Sequence, residues 1–185
     1  MDGARSAWKG ERLQAGDLVP DVTVTIENEQ VRLRDFVGEK RVVLYFYPKD
    51  SSPSCIMEAR GFNALIAEFA AAGTEVIGVS TDDATSHARF ARQEGLRFSL
   101  ATDSDGAVAN AFGAANRLVQ GIVAKRVTFL IEQDGRIVRV WDRVNPLTHP
   151  HDVLDAVKAL TPTSFPILPS GSPEEECRSS ASLSK

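Results

Sequence analysis

Apolar positions change their period several times along the chain, and each change marks an element. Val22 to Ile26, V-T-V-T-I, is β-branched with a period of two; a second short run begins at Val31, with Asn28 in the gap, so a hairpin is predicted. Arg41 to Tyr47, R-V-V-L-Y-F-Y, is almost continuously apolar, the pattern of a central strand buried on both faces, and it stops at Pro48. Phe62, Leu65, Ile66 and Phe69 recur at helical spacing and predict an amphipathic helix from Pro53 to Ala72, ended by Gly73.

The alternation then repeats. Glu75 to Ser80 reads as a strand, Asp83 to Glu94 as a helix closed by Gly95, and Asp105 to Phe112 as a shorter helix before Gly113. Arg126 to Ile131 and Ile137 to Trp141 read as strands joined through Asp134-Gly135, the second near an edge. His151 to Leu160 places Val153, Leu154, Val157 and Leu160 on one face of a last helix. Strand, helix, strand, helix is the βαβ rhythm. The expected fold is α/β and thioredoxin-like: a mixed central sheet flanked by helices, with an N-terminal β-hairpin. Residues 1–14 lack a sustained period and are expected to form an N-terminal arm, 15–161 the domain, and 162–185, rich in Pro and Ser, a flexible tail.

Composition narrows the function classes. At 185 residues the chain fits the usual one-domain range of roughly 100–200 and buries a core without disulfide or metal staples. Its net charge of -4, without a Lys/Arg-rich run, argues against nucleic acid or anionic lipid as partner. No secretory h-region and no apolar stretch of membrane-spanning length is present, so a cytoplasmic protein is expected. Two distant cysteines, Cys55 and Cys177, make neither a disulfide framework nor a zinc site. His87, His149 and His151 do not cluster with them, and H-P-H reads as helix-start chemistry rather than metal binding. The D-S-D-G run at Asp103 reads as a turn before a helix rather than a calcium loop. No metal is expected, no G-x-G-x-x-G or P-loop indicates a nucleotide cofactor, and the absence of C-x-x-C disfavours a dithiol oxidoreductase of thioredoxin type.

The informative stretch is Pro48 to Cys55, P-K-D-S-S-P-S-C, between the central strand and the longest helix. Ser52 then Pro53 fits an N-cap followed by a first helical residue, which puts Cys55 in the first turn, where unpaired N–H groups and the helix dipole stabilise thiolate over thiol. Cys55 lies seven residues before Phe62 and fourteen before Phe69, on the face that meets the core. By position alone it is equally a small buried apolar residue.

Pro48, Ser52 and Cys55 fill the signature Pro, three residues, Thr or Ser, two residues, Cys, and the chain resembles the peroxiredoxins. The likeness continues through V-V-L-Y-F-Y-P-K-D, G-V-S-T-D-D-A-T-S-H-A-R-F-A, D-S-D-G-A-V-A-N-A-F-G and R-V-T-F-L-I-E-Q-D-G-R-I-V-R-V-W. It is similar to the bacterioferritin comigratory protein, or Q-type, branch over about Gly16 to Leu160. The resemblance implies a thiol-dependent peroxidase, with Cys55 the peroxidatic cysteine oxidised to sulfenic acid by hydrogen peroxide or an organic hydroperoxide. It implies that Arg126 holds the thiolate and steadies charge on the peroxide, that Ser52 donates a hydrogen bond to the peroxide, and that Pro48 walls the pocket against water. Glu58 also matches a family position, and reads equally as a solvated helix charge.

The chain departs from many members of this branch at the position five residues after the peroxidatic cysteine, where they carry a resolving cysteine and Arg60 stands here. The reductive half then has two accounts. An external thiol (thioredoxin, glutaredoxin or glutathione) can attack the Cys55 sulfenate, or Cys177 can resolve it, the intervening tail spanning about 50 Å at about 3.3 Å per extended residue. Glu174, Glu175 and Glu176 beside Cys177 favour its thiol over its thiolate, so a free exposed thiol is the plainer reading. A monomer or weak dimer is expected. The rival function is a non-catalytic redox sensor or interaction module that uses oxidation of Cys55.

Overall fold

The computed structural model describes residues 11–36, 38–118 and 121–160. Its centre is β3 (Arg41–Phe46), all six residues of which are buried. Side chains of a strand alternate between faces, so a strand covered on both sides is apolar throughout. Val42, Leu44 and Phe46 enter one core with Leu33, Val108, Phe112 and Phe129; Val43 and Tyr45 enter the other with Phe62, Phe69, Phe90 and Val153. The continuous run in the sequence is therefore two alternating patterns superimposed.

The strands β1 (Thr23–Ile26), β2 (Glu29–Arg32), β4 (Thr74–Ser80), β5 (Ser99–Thr102), β8 (Val127–Ile131) and β9 (Ile137–Trp141) join β3 in one mixed sheet of order β2-β1-β5-β4-β3-β8-β9. Strands β3, β4 and β5 run parallel; β8 lies antiparallel to β3, and β9 to β8. The expected thioredoxin-like arrangement is present, with β9 at an edge. The predicted hairpin is β1–β2, turning through Glu27 and Asn28, both at positive φ (49° and 71°), as a tight primed turn requires. A second hairpin, β6 (Ala115–Leu118) with β7 (Gly121–Ala124), was not legible, because its residues are mostly exposed or half-buried and carry no clean alternation.

Helices cover both faces. The helix expected from Pro53 to Ala72 is two: α2 (Pro53–Ala64) and α3 (Ile66–Ala71). At the break, Leu65 N–H turns back to the carbonyls of Phe62 and Asn63, and Arg97 Nη2 donates to the Asn63 carbonyl at 3.0 Å, where a continuous helix would place an N–H. The Asn63 side chain donates to Gly95 O at 2.9 Å and accepts from Arg97 N at 2.8 Å, fastening α2 to the loop that follows α4 (Ala84–Glu94). Asp83 caps α4 by accepting from Ser86 N, and Gly95 closes it in the left-handed conformation. Asp103 accepts from Val108 N and Ala109 N at 2.9 and 2.8 Å, organising the turn into α5 (Ala107–Ala111), as the turn reading expected.

The last helix, α6 (His149–Ala159), begins two residues earlier than expected because Pro150 is accommodated in its first turn. It packs so closely on α2 that a Cβ on Gly61 would lie 2.7 Å from Pro150 Cγ. A short α1 (Leu33–Phe36) buries Leu33 completely. Leu13, placed in the N-terminal arm by its polar surroundings, is instead buried, and its N–H donates to Phe112 O at 3.3 Å. The backbone of Arg12 lies against Gly113, which sits at φ +67° and leaves no room there for a Cβ. Among the described residues no helix is long and apolar enough to cross a membrane. Cys177 and the tail from 162 lie outside the described residues.

Candidate active site

The C-terminal end of β3 leads into the loop Pro48–Ser52, which is held by the end of the neighbouring strand β4 and the turn that follows it. Tyr47 N donates to Val79 O at 3.0 Å, and Asp50 N donates to Asp82 Oδ2 at 2.8 Å. Ser51 turns the chain at φ 58°, a left-handed conformation that costs a non-glycine residue about 1 kcal/mol or more and persists only where its surroundings over-determine it. Ser52 then takes the extended N-cap conformation (φ -73°, ψ 144°) and Pro53 opens α2, so Cys55 lies in the first turn as expected. The Ser52 hydroxyl caps no helix N–H, so it is not consumed by the helix.

Cys55 is 2 % exposed, packed in the core that also holds Tyr45, Phe62 and Phe69. Arg126, immediately before β8, reaches across: its Nη2 donates to Cys55 Sγ at 3.2 Å and to Ser54 Oγ at 3.0 Å. Its Nη1 donates to Glu58 Oε2, forming a buried ion pair. Glu58 has no exposed surface, so of the two readings left open by the sequence the solvated one is excluded. Burial raises the Glu58 carboxyl to about 7 although the Arg126 charge and hydrogen bond pull it down. Burial lowers Arg126, and the charges of Glu58 and Cys55 more than reverse this.

The structure thus gathers Cys55, Arg126 and Glu58, adds Ser54, and leaves half-buried Ser52 and Pro48 along the entering loop. Ser54 had no sequence signal, since a serine in a first helical turn is ordinary. His149 is buried between Phe62 and Trp141, each ring centroid 5.8 Å away, and its Nε2 is 2.8 Å from Thr128 Oγ1. Burial lowers it to about 4, with Arg126 adding to the effect against Asp152. H-P-H is a helix start, as expected, but its first histidine is also a packing residue behind the site.

A second polar cluster lies beneath the loop. Asp50 accepts from Tyr47 Oη at 2.8 Å and meets His87 Nδ1 at 3.0 Å, while His87 Nε2 is 3.3 Å from Ala101 O. Burial pushes Asp50 up, and the hydrogen bond and charge of His87, with hydrogen bonds from Ser86 and Tyr47, bring it below the usual carboxylate range. Arg60, in the place of a resolving cysteine, donates from Nε to Glu94 Oε2 at 2.6 Å and ties α2 to α4.

A thiol in a first helical turn, buried and bonded by a guanidinium, is built to bear negative charge and to meet an electrophile. Residues 15–140 match the AhpC/TSA family. Peroxiredoxin Bcp of Xanthomonas campestris is 40% identical over 136 residues, covering 70% of this chain and 83% of that protein. This chain belongs to the AhpC/TSA family. Within it, it is a Q-type peroxiredoxin, and its activity is thiol-dependent reduction of peroxides. The crystal structure of peroxidoxin BcpB from Mycobacterium tuberculosis superposes with TM-score 0.77 at 30% identity, covering 81% of this chain and 99% of that one. The Xanthomonas campestris bacterioferritin comigratory protein, whose structures concern its alkyl peroxide reduction activity, superposes with TM-score 0.71 at 34% identity, covering 80% and 98%.

Proposed function

We propose that Cys55 is the peroxidatic residue of this peroxiredoxin and that it works in a one-cysteine cycle. The observation that carries this is the bond from Arg126 Nη2 to a Cys55 sulfur almost wholly withdrawn from water. A guanidinium fixed against the sulfur stabilises the thiolate before reaction and the charge that develops on the departing oxygen during it, at no cost in reorganisation. The thiolate attacks one peroxide oxygen and keeps it as the sulfenic acid, the O–O bond breaks, and the other oxygen leaves as hydroxide or alkoxide, which takes a proton from solvent to become water or alcohol. Ser52 supplies a hydroxyl to the peroxide, and Pro48, which has no N–H, borders the pocket.

The resulting sulfenic acid condenses with an external thiol to a mixed disulfide and water; a second thiol then releases Cys55. Arg60 in the resolving position, engaged with Glu94, supports this route over an intrahelix disulfide. Hydrogen peroxide and small organic hydroperoxides are the substrates in this reading, and glutathione, glutaredoxin or thioredoxin the reductant. The setting is the cytoplasm, the protein a monomer or weak dimer, and residues 162–185 a tail outside the domain. The test is steady-state peroxide consumption by Cys177→Ser with each reductant in turn. Turnover equal to that of the unmodified chain is expected with at least one of them. Loss of turnover, with a Cys55–Cys177 disulfide in the parent protein, would replace the one-cysteine cycle by an internal one.

A further inference from the structure

Around Cys55 the structure buries more ionisable groups than a thiolate needs. Arg126 is shared: Nη2 holds Cys55 Sγ and Nη1 holds Glu58 Oε2. Glu58 is 0 % exposed, and its other oxygen, Oε1, has no hydrogen-bond partner among the described residues. Tyr45, from β3, feels the charges of both Glu58 and Cys55, and its hydroxyl is likewise buried without a partner among them. The groups facing the pair are thus Tyr45 from β3, Arg126 immediately before β8 and Ser54 on α2 itself, with His149 of α6 acting on Arg126 from behind. Tyr45 is held neutral by burial, and His149, near 4, is neutral at physiological pH. One fixed positive charge therefore faces two candidate negative ones.

We propose that Glu58 is a positioning residue that competes with Cys55 for Arg126, the cluster holding one proton between them, so that Glu58 is protonated when Cys55 is the thiolate. The inference rests on Cys55 being the peroxidatic thiol. The two forms are related by one proton: the S–H bond breaks, an O–H bond forms on Glu58, and solvent carries the proton between them. Two anions on one buried guanidinium repel each other at close quarters, so charge on one disfavours charge on the other. The carboxyl near 7 and its orphaned oxygen are what such sharing requires, because a permanently ionised Glu58 would leave Oε1 both charged and unsolvated. Glu58 then sets the pH range over which the peroxidase is armed.

The test is the rate of Cys55 oxidation by hydrogen peroxide, followed by stopped flow from pH 5 to 9, in the parent protein and in Glu58→Gln. The substituted amide keeps a hydrogen-bonding partner for Arg126 but takes no charge. The expected result is a midpoint moved to lower pH, with a rate about threefold to tenfold above the parent near pH 6 and a single-step profile in place of a broad one. A uniformly slower variant with an unmoved or raised midpoint would overturn the proposal and leave Glu58 as a mere anchor for Arg126. A second measurement holds if Glu58→Gln does not fold. The infrared carbonyl stretch of a protonated carboxylic acid is expected in the reduced parent at neutral pH and is expected to titrate at lower pH in Cys55→Ser. The same titration in both would overturn the proposal. If Cys55→Ser still consumed peroxide, the fault would lie in the peroxidatic assignment instead.

Discussion

Two buried polar clusters flank the loop Pro48–Ser52, and they are built on opposite terms. In the Tyr47–Asp50–His87 cluster the polar atoms have partners: the tyrosine hydroxyl donates to Asp50, both imidazole nitrogens lie within reach of an oxygen, and Asp50 is stabilised as an anion. In the Cys55–Arg126–Glu58 cluster and the ring behind it, Glu58 Oε1, Tyr45 Oη and His149 Nδ1 are buried and unpaired among the described residues, and Glu58 and His149 are displaced towards their neutral forms. A satisfied buried network fixes one conformation, whereas unsatisfied groups raise the energy of their surroundings and are tolerated where chemistry needs them. The first cluster shapes the loop; the second uses the shape.

The contrast between the clusters breaks most sharply at the reacting group. Cys55→Ser is expected to reduce peroxide consumption to the uncatalysed rate with its thermal midpoint close to the parent's, as measured by peroxide loss and calorimetry. Next comes Arg126→Lys, which keeps the charge but loses the planar fork that spans Cys55, Ser54 and Glu58; oxidation of Cys55 is expected to slow by about 10² to 10³-fold in stopped flow. In the other cluster Asp50→Asn is expected to weaken the fold by about 2–4 kcal/mol in urea at neutral pH, because it leaves His87 and Tyr47 with a poorer acceptor. Since Asp50 is held below its ordinary value, its contribution is present at neutral pH and lost as pH falls through the folded value. The variant's deficit should therefore shrink in acid.

A finer test uses the opposed shifts of Glu58 and His149. Glu58 stays protonated in the fold up to about 7, so its contribution to stability falls as pH rises from 4.5 to 7. His149 stays neutral down to about 4, so its contribution rises as pH rises from 4 to 6.5. Each slope is about 1.4 kcal/mol per pH unit, and they cancel in the parent. Urea unfolding from pH 4.5 to 6.5 is expected to show stability rising with pH in Glu58→Gln and falling with pH in His149→Phe. The smallest effect belongs to Arg60→Ala, whose partly exposed ion pair with Glu94 is worth about 0–1 kcal/mol in the same assay.

What the sequence revealed follows from how locally each feature is encoded. The run Arg41–Tyr47 announced a strand buried on both faces, and Ser52-Pro53 placed Cys55 in a first helical turn, because these depend on neighbours in the chain. Arg126 is 71 residues away from Cys55, and only the family resemblance pointed to it. The Asp50–His87 contact, the Ser54 bond and the break at Leu65 were invisible, since each is decided by a side chain from another element. Strand β5, S-L-A-T, was missed for a related reason: its order comes from pairing with β1 and β4, not from its own pattern. Glu58 stood between the cases, one turn from Cys55 but paired with Arg126, which lies 68 residues away.

Cys55 as the group that peroxide oxidises is tested most directly by intact mass and peptide mapping of the reduced Cys177→Ser protein after one equivalent of hydrogen peroxide, with a sulfenic-acid trap present. One trap adduct per chain is expected, located on Cys55. Stoichiometric loss of peroxide with Cys55 recovered as an unmodified thiol would contradict that assignment.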